Sequence, residues 1–208
     1  MKKNLFVSVA LSMLVILFSA CSSGPKVQRV DPNSRIDLSG RWNDADMRMV
    51  SDSLINDCLT SPRVSQFIQQ YSSQHRGSLP ACLVGSFRND SSEHIDTSLI
   101  SKAMERAIVN SGKMDFVAGG DVLQEIRGEK EDQLMYANED TAVSLANETG
   151  AILLLTGSVK SMVDRAGNTS VRSYFVSAEL TNIETRTRLW MGDNNEIKKV
   201  ITQSSYRP

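Results

Sequence analysis

The sequence predicts a single-domain α/β protein of the α+β kind, with a mixed sheet of about five strands flanked by helices. Three observations point there. Segments with apolar residues at steps of three and four alternate with short runs rich in Val, Ile, Leu and Phe. The early strands are separated by helical segments and so need crossovers, whereas the last three are joined by tight turns. Of the 208 residues, all but a leader of about 20 remain to build a core, a length that most simply makes one domain.

The elements follow in order. In residues 42–59, Met47, Val50, Leu54 and Cys58 share one face of an amphipathic helix. Ser61 before Pro62 reads as an N-cap with proline at the first helical position, and Val64, Phe67, Ile68 and Tyr71 give that helix its apolar face. Residues 72–80 form a loop holding His75. "ACLVGSFRND" (81–90) is the first strand. Residues 95–112 are a helix that Asp96 can cap, with Leu99, Ile100, Ala103, Met104, Ala107 and Ile108 in one stripe and Gly112 at its end. "KMDFVA" (113–118) is a short second strand. Two more helices are expected over 119–136, capped by Asp121, and 138–150, stopped by Gly150. The apolar run in 151–164 suits a central, doubly covered strand. After the turn "RAGN", residues 169–182 alternate as a fourth strand through Tyr174, Val176, Ala178 and Leu180. After "IETR", residues 187–201 are a fifth, with a break expected at Gly192-Asp193. The order is ααβαβααβββ.

The N-terminus reads differently. Met1-Lys2-Lys3-Asn4 is a short basic start, and Leu5 to Ala20 is almost wholly apolar but too short for an untilted membrane span of roughly 20 residues. This is the pattern of a secretory signal. "LFSAC" ends it in the manner of a bacterial lipobox, though Phe18 stands where Leu is usual. Cys21 is therefore expected to be acylated and to become the first residue of the mature chain, anchoring it to a membrane. Ser22 rather than Asp after the cysteine suits onward transport to the outer membrane. Residues 21–40, rich in Ser, Gly, Pro and mixed charge, read as a tether with at most ~65 Å of reach. The expected organisation is a signal peptide over 1–20, a lipidated tether over 21–40 and a globular domain over 41–208.

Composition narrows function. Two of the 23 basic residues lie in the leader, which leaves 21 basic against 24 acidic residues, and only 6% of the chain is aromatic. No basic stripe marks a nucleic-acid partner. Beyond Cys21 the cysteines are Cys58 and Cys82, and either a disulfide or two buried thiols fits an exported protein. His75 stands in a polar loop. Glu93, His94 and Asp96 in "SSEHID" carry metal-ligand chemistry but lack HExxH spacing, so capping acids at a helix start account for them. Gly119-Gly120-Asp121 lacks the further glycines and the lysine of a phosphate loop, and no GxSxG elbow is present. The run 127–133 reads as a solvated helix face. No catalytic constellation, metal site or cofactor is expected. Arg88, Asn89, Glu93 and His94 crowd one strand-to-helix corner, either as a partner-binding surface or merely to satisfy the turn.

Several stretches together carry a family resemblance: "VGSFRNDSSEHID", "ISKAMERAIVNSGKMDFVA", "EDQ", "ETGAILLLTGSV" and "YFVSAELTNIETRTRLW". Over roughly residues 38–203 the chain resembles the penicillin-binding-protein activator lipoproteins of the LpoB type. The resemblance implies an outer-membrane lipoprotein with a periplasmic α/β domain similar to the N-terminal domain of TolB. It implies binding to a noncatalytic docking domain of a bifunctional peptidoglycan synthase and activation of that synthase without chemistry of the activator's own. The enterobacterial members have a long Pro-rich tether, whereas here the tether is short and two helices precede the first strand. A fainter resemblance to curli-secretion-pore lipoproteins keeps an oligomerising envelope protein as the alternative.

Overall fold

The computed structural model describes residues 27–31, 34–117 and 149–203. The chain divides into two compact units, Met1–Ser34 and Arg35–Pro208. In the first, the Ser34 backbone N–H and hydroxyl both donate to the Asp31 carbonyl, at 2.9 and 2.6 Å. All the helices and strands described below belong to the second. Cys21, the leader, Gly119-Gly120-Asp121 and the helices expected over 119–136 and 138–148 lie outside the described residues.

Helix α1, Asp44–Thr60, begins in a reciprocal capping box: the Asn43 side chain accepts from Asp46 N–H, and the Asp46 carboxylate accepts from Asn43 N–H. Helix α2, Pro62–Gln74, follows at once. Pro62 sits at its first position as expected, but the Ser61 side chain makes no capping bond. Its backbone N–H instead closes α1 on the Cys58 carbonyl. Helix α2 runs far enough to make His75 its C-cap, where the ring stacks on Tyr71 at 3.9 Å. Strand β1 is Ala81–Asp90 and helix α3 is Ser98–Ser111, which ends at Gly112 with φ of 61°. In α3 the buried face is Ile100, Ser101, Met104 and Ile108, and Leu99 is exposed rather than part of the stripe. The remaining strands are β2 (Asp115–Val117), β3 (Leu153–Ala166), β4 (Thr169–Asn182), β5 (Thr187–Asn194) and β6 (Lys198–Thr202).

The sheet order is β2-β1-β3-β4-β5, with β6 also paired to β4. Strands β2, β1 and β3 run parallel, while β3, β4, β5 and β6 pair antiparallel. Among the described residues the sheet therefore has six strands, against about five expected. The predicted last strand is interrupted after Asn194, not at Gly192-Asp193. Ile197 drops into the core between β5 and β6, and its carbonyl takes the Tyr174 N–H at 3.0 Å.

One large core fills one face of the sheet. Val50, Leu54 and Cys58 of α1, Val64 of α2, and Ile100, Met104 and Ile108 of α3 meet Cys82, Val84, Phe87, Leu155, Val159, Val176 and Leu180. Two glycines let aromatic rings lie flat on this face. A Cβ on Gly157 would stand 2.2 Å from the Phe87 ring and 2.5 Å from the Ser177 carbonyl, and one on Gly192 would stand 2.2 Å from the Trp190 ring. On the opposite face, among the described residues, Leu83, Ala151 and Leu154 form a buried cluster near one end of the sheet, with Val117 and Ile183 packed against it. Beyond its pairing with β2, the β1 edge is bonded by hydroxyls of the α3 region. Ser101 Oγ accepts from Phe87 N–H (3.4 Å) and donates to the Gly85 carbonyl (3.3 Å), and Thr97 Oγ1 donates to the Phe87 carbonyl at 2.5 Å.

Lys199 of β6 holds the start of the domain. Its ammonium donates to Asp37 Oδ1 (2.6 Å), Asp46 Oδ2 (2.5 Å) and the Arg41 carbonyl (2.9 Å). Burial alone would lower the Lys199 pKa, but the two carboxylates outweigh it and raise it. Lys199 in turn holds Asp37 below its usual range.

Two outcomes test this architecture. Gly157→Ala is expected to destabilise the domain by about 1–3 kcal/mol, because the Ser177 backbone cannot move aside, read as a lower urea midpoint at unchanged slope. At Gly192 the three nearest atoms to an added Cβ all belong to the Trp190 side chain, which can shift, so Gly192→Ala should cost less. The stability contributed by Asp37 is present above its unfolded pKa of 3.8 and lost as pH falls through its lowered folded pKa. That of Lys199 is present below 10.5 and lost as pH rises through its raised folded pKa. Thermal melts of wild type and Lys199→Met should therefore differ by a constant amount near neutrality and converge at both pH extremes.

Candidate functional site

The corner between β1 and α3 is built from the backbone outward. The register of β1 against β3 shifts between Val84 and Phe87, a bulge that re-aims the strand before it ends. Asn89 then organises the turn. Its amide donates to the Glu93 carbonyl (2.8 Å) and the Ile95 carbonyl (3.3 Å), and its Oδ1 accepts from the Ser91 N–H (3.1 Å) and hydroxyl (2.6 Å). Ser92 N–H donates to Ser161 Oγ of β3 at 3.1 Å, and buried Ile95 pins the turn to the core. Asp96 Oδ1 accepts from the Ser98 N–H and hydroxyl, so the expected cap acts one residue before Thr97, where the helix boundary falls.

Glu93 turns inward. Its side chain is only 9% exposed and is ion-paired to Arg172 of β4, itself 14% exposed. The same carboxylate accepts from the Tyr174 hydroxyl (2.9 Å) and from Trp42 N–H (3.2 Å). The Trp42 ring meets the Tyr174 ring edge-on at 5.3 Å. Burial, followed by the Glu93 hydrogen bond and charge, pushes the Tyr174 phenol above its ordinary pKa. This carboxylate joins the turn, strand β4 and the segment ahead of α1.

The other two predicted residues face outward. His94 is exposed and makes no hydrogen bond or ion pair among the described residues. Arg88 lies opposite Ser158 on the face away from the helices, with its guanidinium 3.8 Å from Asp90. It borders a shallow trough of about 280 Å³ whose walls include the hydroxyls of Ser86, Thr156, Ser158 and Ser177 and the Arg188–Glu179 pair, at 2.8 Å. The predicted quartet thus divides: Asn89 and Glu93 satisfy the corner, while Arg88 and His94 present side chains to solvent.

Glu93, His94 and Asp96 do not converge as a site, and among the described residues no three His, Cys, Asp or Glu side chains group to hold a metal ion. Cys58 and Cys82 are unpaired and buried, the second of the two arrangements left open by their spacing. Burial pushes the Cys58 thiol up to about 12 and the Cys82 thiol higher still, so both remain protonated core side chains. Sequence reasoning missed Arg172, Tyr174 and Trp42 as partners of Glu93. A signal existed: Arg172 has the same strand parity as Tyr174, Val176, Ala178 and Leu180, and a charge in an inward-facing register needs a counter-charge.

A family model described as peptidoglycan-synthase activator LpoB matches residues 46–196. Among solved structures, the C-terminal domain of LpoB from Escherichia coli aligns with a TM-score of 0.50 at 16% identity, over 76% of this chain and 99% of that one, which shows a shared fold. The corresponding domain from Salmonella enterica gives 0.47 at 18% identity with the same coverages. Lipoprotein GNA1162 from Neisseria meningitidis gives 0.42 at 18%, over 61% of this chain and 87% of that one. A search of curated proteins found no match.

Glu93→Gln leaves the Arg172 charge buried and is expected to cost about 3 kcal/mol, whereas Tyr174→Phe, losing one hydrogen bond to a charged group, should cost about 2 kcal/mol. Chemical denaturation of the single and double variants should show non-additive costs, because both act on one carboxylate.

Proposed function

The chain belongs to the peptidoglycan-synthase activator LpoB family, and from that premise we propose that it is an outer-membrane lipoprotein that binds and activates a bifunctional penicillin-binding protein. The family match over residues 46–196 carries this reading. The leader, Cys21 and Ser22 support the anchor: residues 1–20 are removed, Cys21 is acylated, and residues 21–40 tether a periplasmic domain formed by 41–208. Among the described residues no helix is long and apolar enough to cross a membrane.

The activator works by coupling and makes or breaks no bond. It favours the active conformation of the synthase by binding that conformation more tightly, so the active synthase in turn binds the activator more tightly. The contact is made on a noncatalytic docking domain of the synthase. On the activator, Arg88 and His94 are the contacting members of the corner, and Asn89 and Glu93 hold the backbone that presents them. No cofactor is needed.

The proposal is tested at the synthase and at the anchor. The purified mature chain should accelerate glycan-strand synthesis by its own organism's bifunctional synthase. Arg88→Glu with His94→Glu should weaken that binding at least tenfold with an unchanged melting temperature. Recovery of no penicillin-binding protein from detergent-solubilised envelope, together with unchanged synthesis on adding the chain, overturns the reading. For the anchor, mass spectrometry of the N-terminal peptide should show acylated Cys21, and Cys21→Ser should release the protein from the membrane fraction.

A further inference from the structure

The face of the sheet opposite α1, α2 and α3 has a second distinctive region, at the end away from the buried Leu83–Leu154 cluster. Cross-strand pairing sets out a grid there. Lys160 of β3 lies opposite Phe175, Met162 opposite Ser173, and Asp164 opposite Val171. On the far side of β4, Lys198 lies opposite Ser173 and Val200 opposite Val171. Met162 is 62% exposed, Phe175 41% and Val200 66%. Strand alternation directs all of these side chains away from the helices, because the intervening Arg172, Tyr174 and Lys199 point toward them. Among the described residues Lys160 and Lys198 make no hydrogen bond or ion pair; the acids beside them are Asp164 and, on β1 directly opposite Lys160, Asp90, which lies 3.8 Å from Arg88.

The start of the domain lies against the same edge. Lys199 holds Asp37 and the Arg41 carbonyl, and Gly40 packs on the Ile201 side chain. Between Cys21 and Arg35 there are fourteen residue steps, at most about 50 Å of chain. An anchor at Cys21 would hold Arg35, two residues before the Asp37 that Lys199 grips, within that distance of a bilayer, and so keep the domain at high local concentration relative to it.

We propose that this end of the open face rests on the membrane, its apolar side chains entering the headgroup boundary and Lys160 and Lys198 meeting anionic lipid phosphates. The proposal rests on the acylation of Cys21 for the position of the domain, but the surface itself is testable without it. Separate apolar side chains interleaved with free lysines and Ser173 suit a fluid, anionic surface. The Arg88 trough, farther along the same face, is left for a protein partner.

The test is flotation of the mature chain, residues 21–208 carrying Cys21→Ser, with vesicles of phosphatidylethanolamine and phosphatidylglycerol or of phosphatidylcholine alone. The expected result is binding to the anionic vesicles only, weakened by salt. Binding should fall at least tenfold both in Lys160→Glu/Lys198→Glu and in Met162→Ser/Phe175→Ser/Val200→Ser, each with an unchanged melting temperature. Absence of binding to anionic vesicles, or binding that neither variant alters, overturns the proposal. So does a result in which the variants lose synthase binding and keep vesicle binding, since that marks a protein-docking face. Failure of acylation is read separately, in the mass of the N-terminal peptide of the unsubstituted protein.

Discussion

The carboxylate of Glu93 is the point on which the arrangement of this domain turns. An ion this deeply buried is tolerated only if its charge and lone pairs are met, and here Arg172, Tyr174 and Trp42 N–H meet them from distant parts of the chain. Satisfying that one group forces the β1–α3 turn down onto β4 and draws the segment ahead of α1 over the Tyr174 ring. The bonds of Asn89 and Ser92 fix the backbone of the corner that carries Arg88 and His94 on its outer surface.

Lys199 does for the opposite margin what Glu93 does for the corner. It brings together the N-terminal segment, the capping box of α1 and strand β6 through two carboxylates and a carbonyl. Both hubs lie on the helix side of the sheet. Where Gly157 and Gly192 remove side chains, Phe87 and Trp190 fill the space, so that face is closed by tight packing. Among the described residues the other face carries a hydroxyl-lined trough at Arg88 and an apolar, lysine-flanked grid at β6.

Much of the fold was legible locally. Helical spacing placed α1, α2 and α3, because burial of one stripe leaves a three- and four-residue period in any amphipathic helix. The parity of Tyr174, Val176, Ala178 and Leu180 told which face of β4 is inward. The interruption at Asn194–Ile197 was misplaced because glycine and aspartate at 192–193 look like a break. Gly192 is there instead to admit the Trp190 ring, a cause that acts across the sheet surface. Leu99 was misassigned to the core because helical periodicity tells which residues share a stripe and leaves open how wide a stripe the sheet can cover.

From the sequence alone came the element types of the described residues and the polar richness of the Ser-Glu-His-Ile-Asp corner, because these depend on periodicity and composition within a few residues. What only the tertiary structure decided was which of those polar groups are spent inside. Glu93 and His94 are neighbours in sequence and equally polar. One is neutralised by an arginine on a distant strand and the other faces water. That difference depends on the long-range pairing that sets β4 beneath the turn, and no local pattern of residues encodes it.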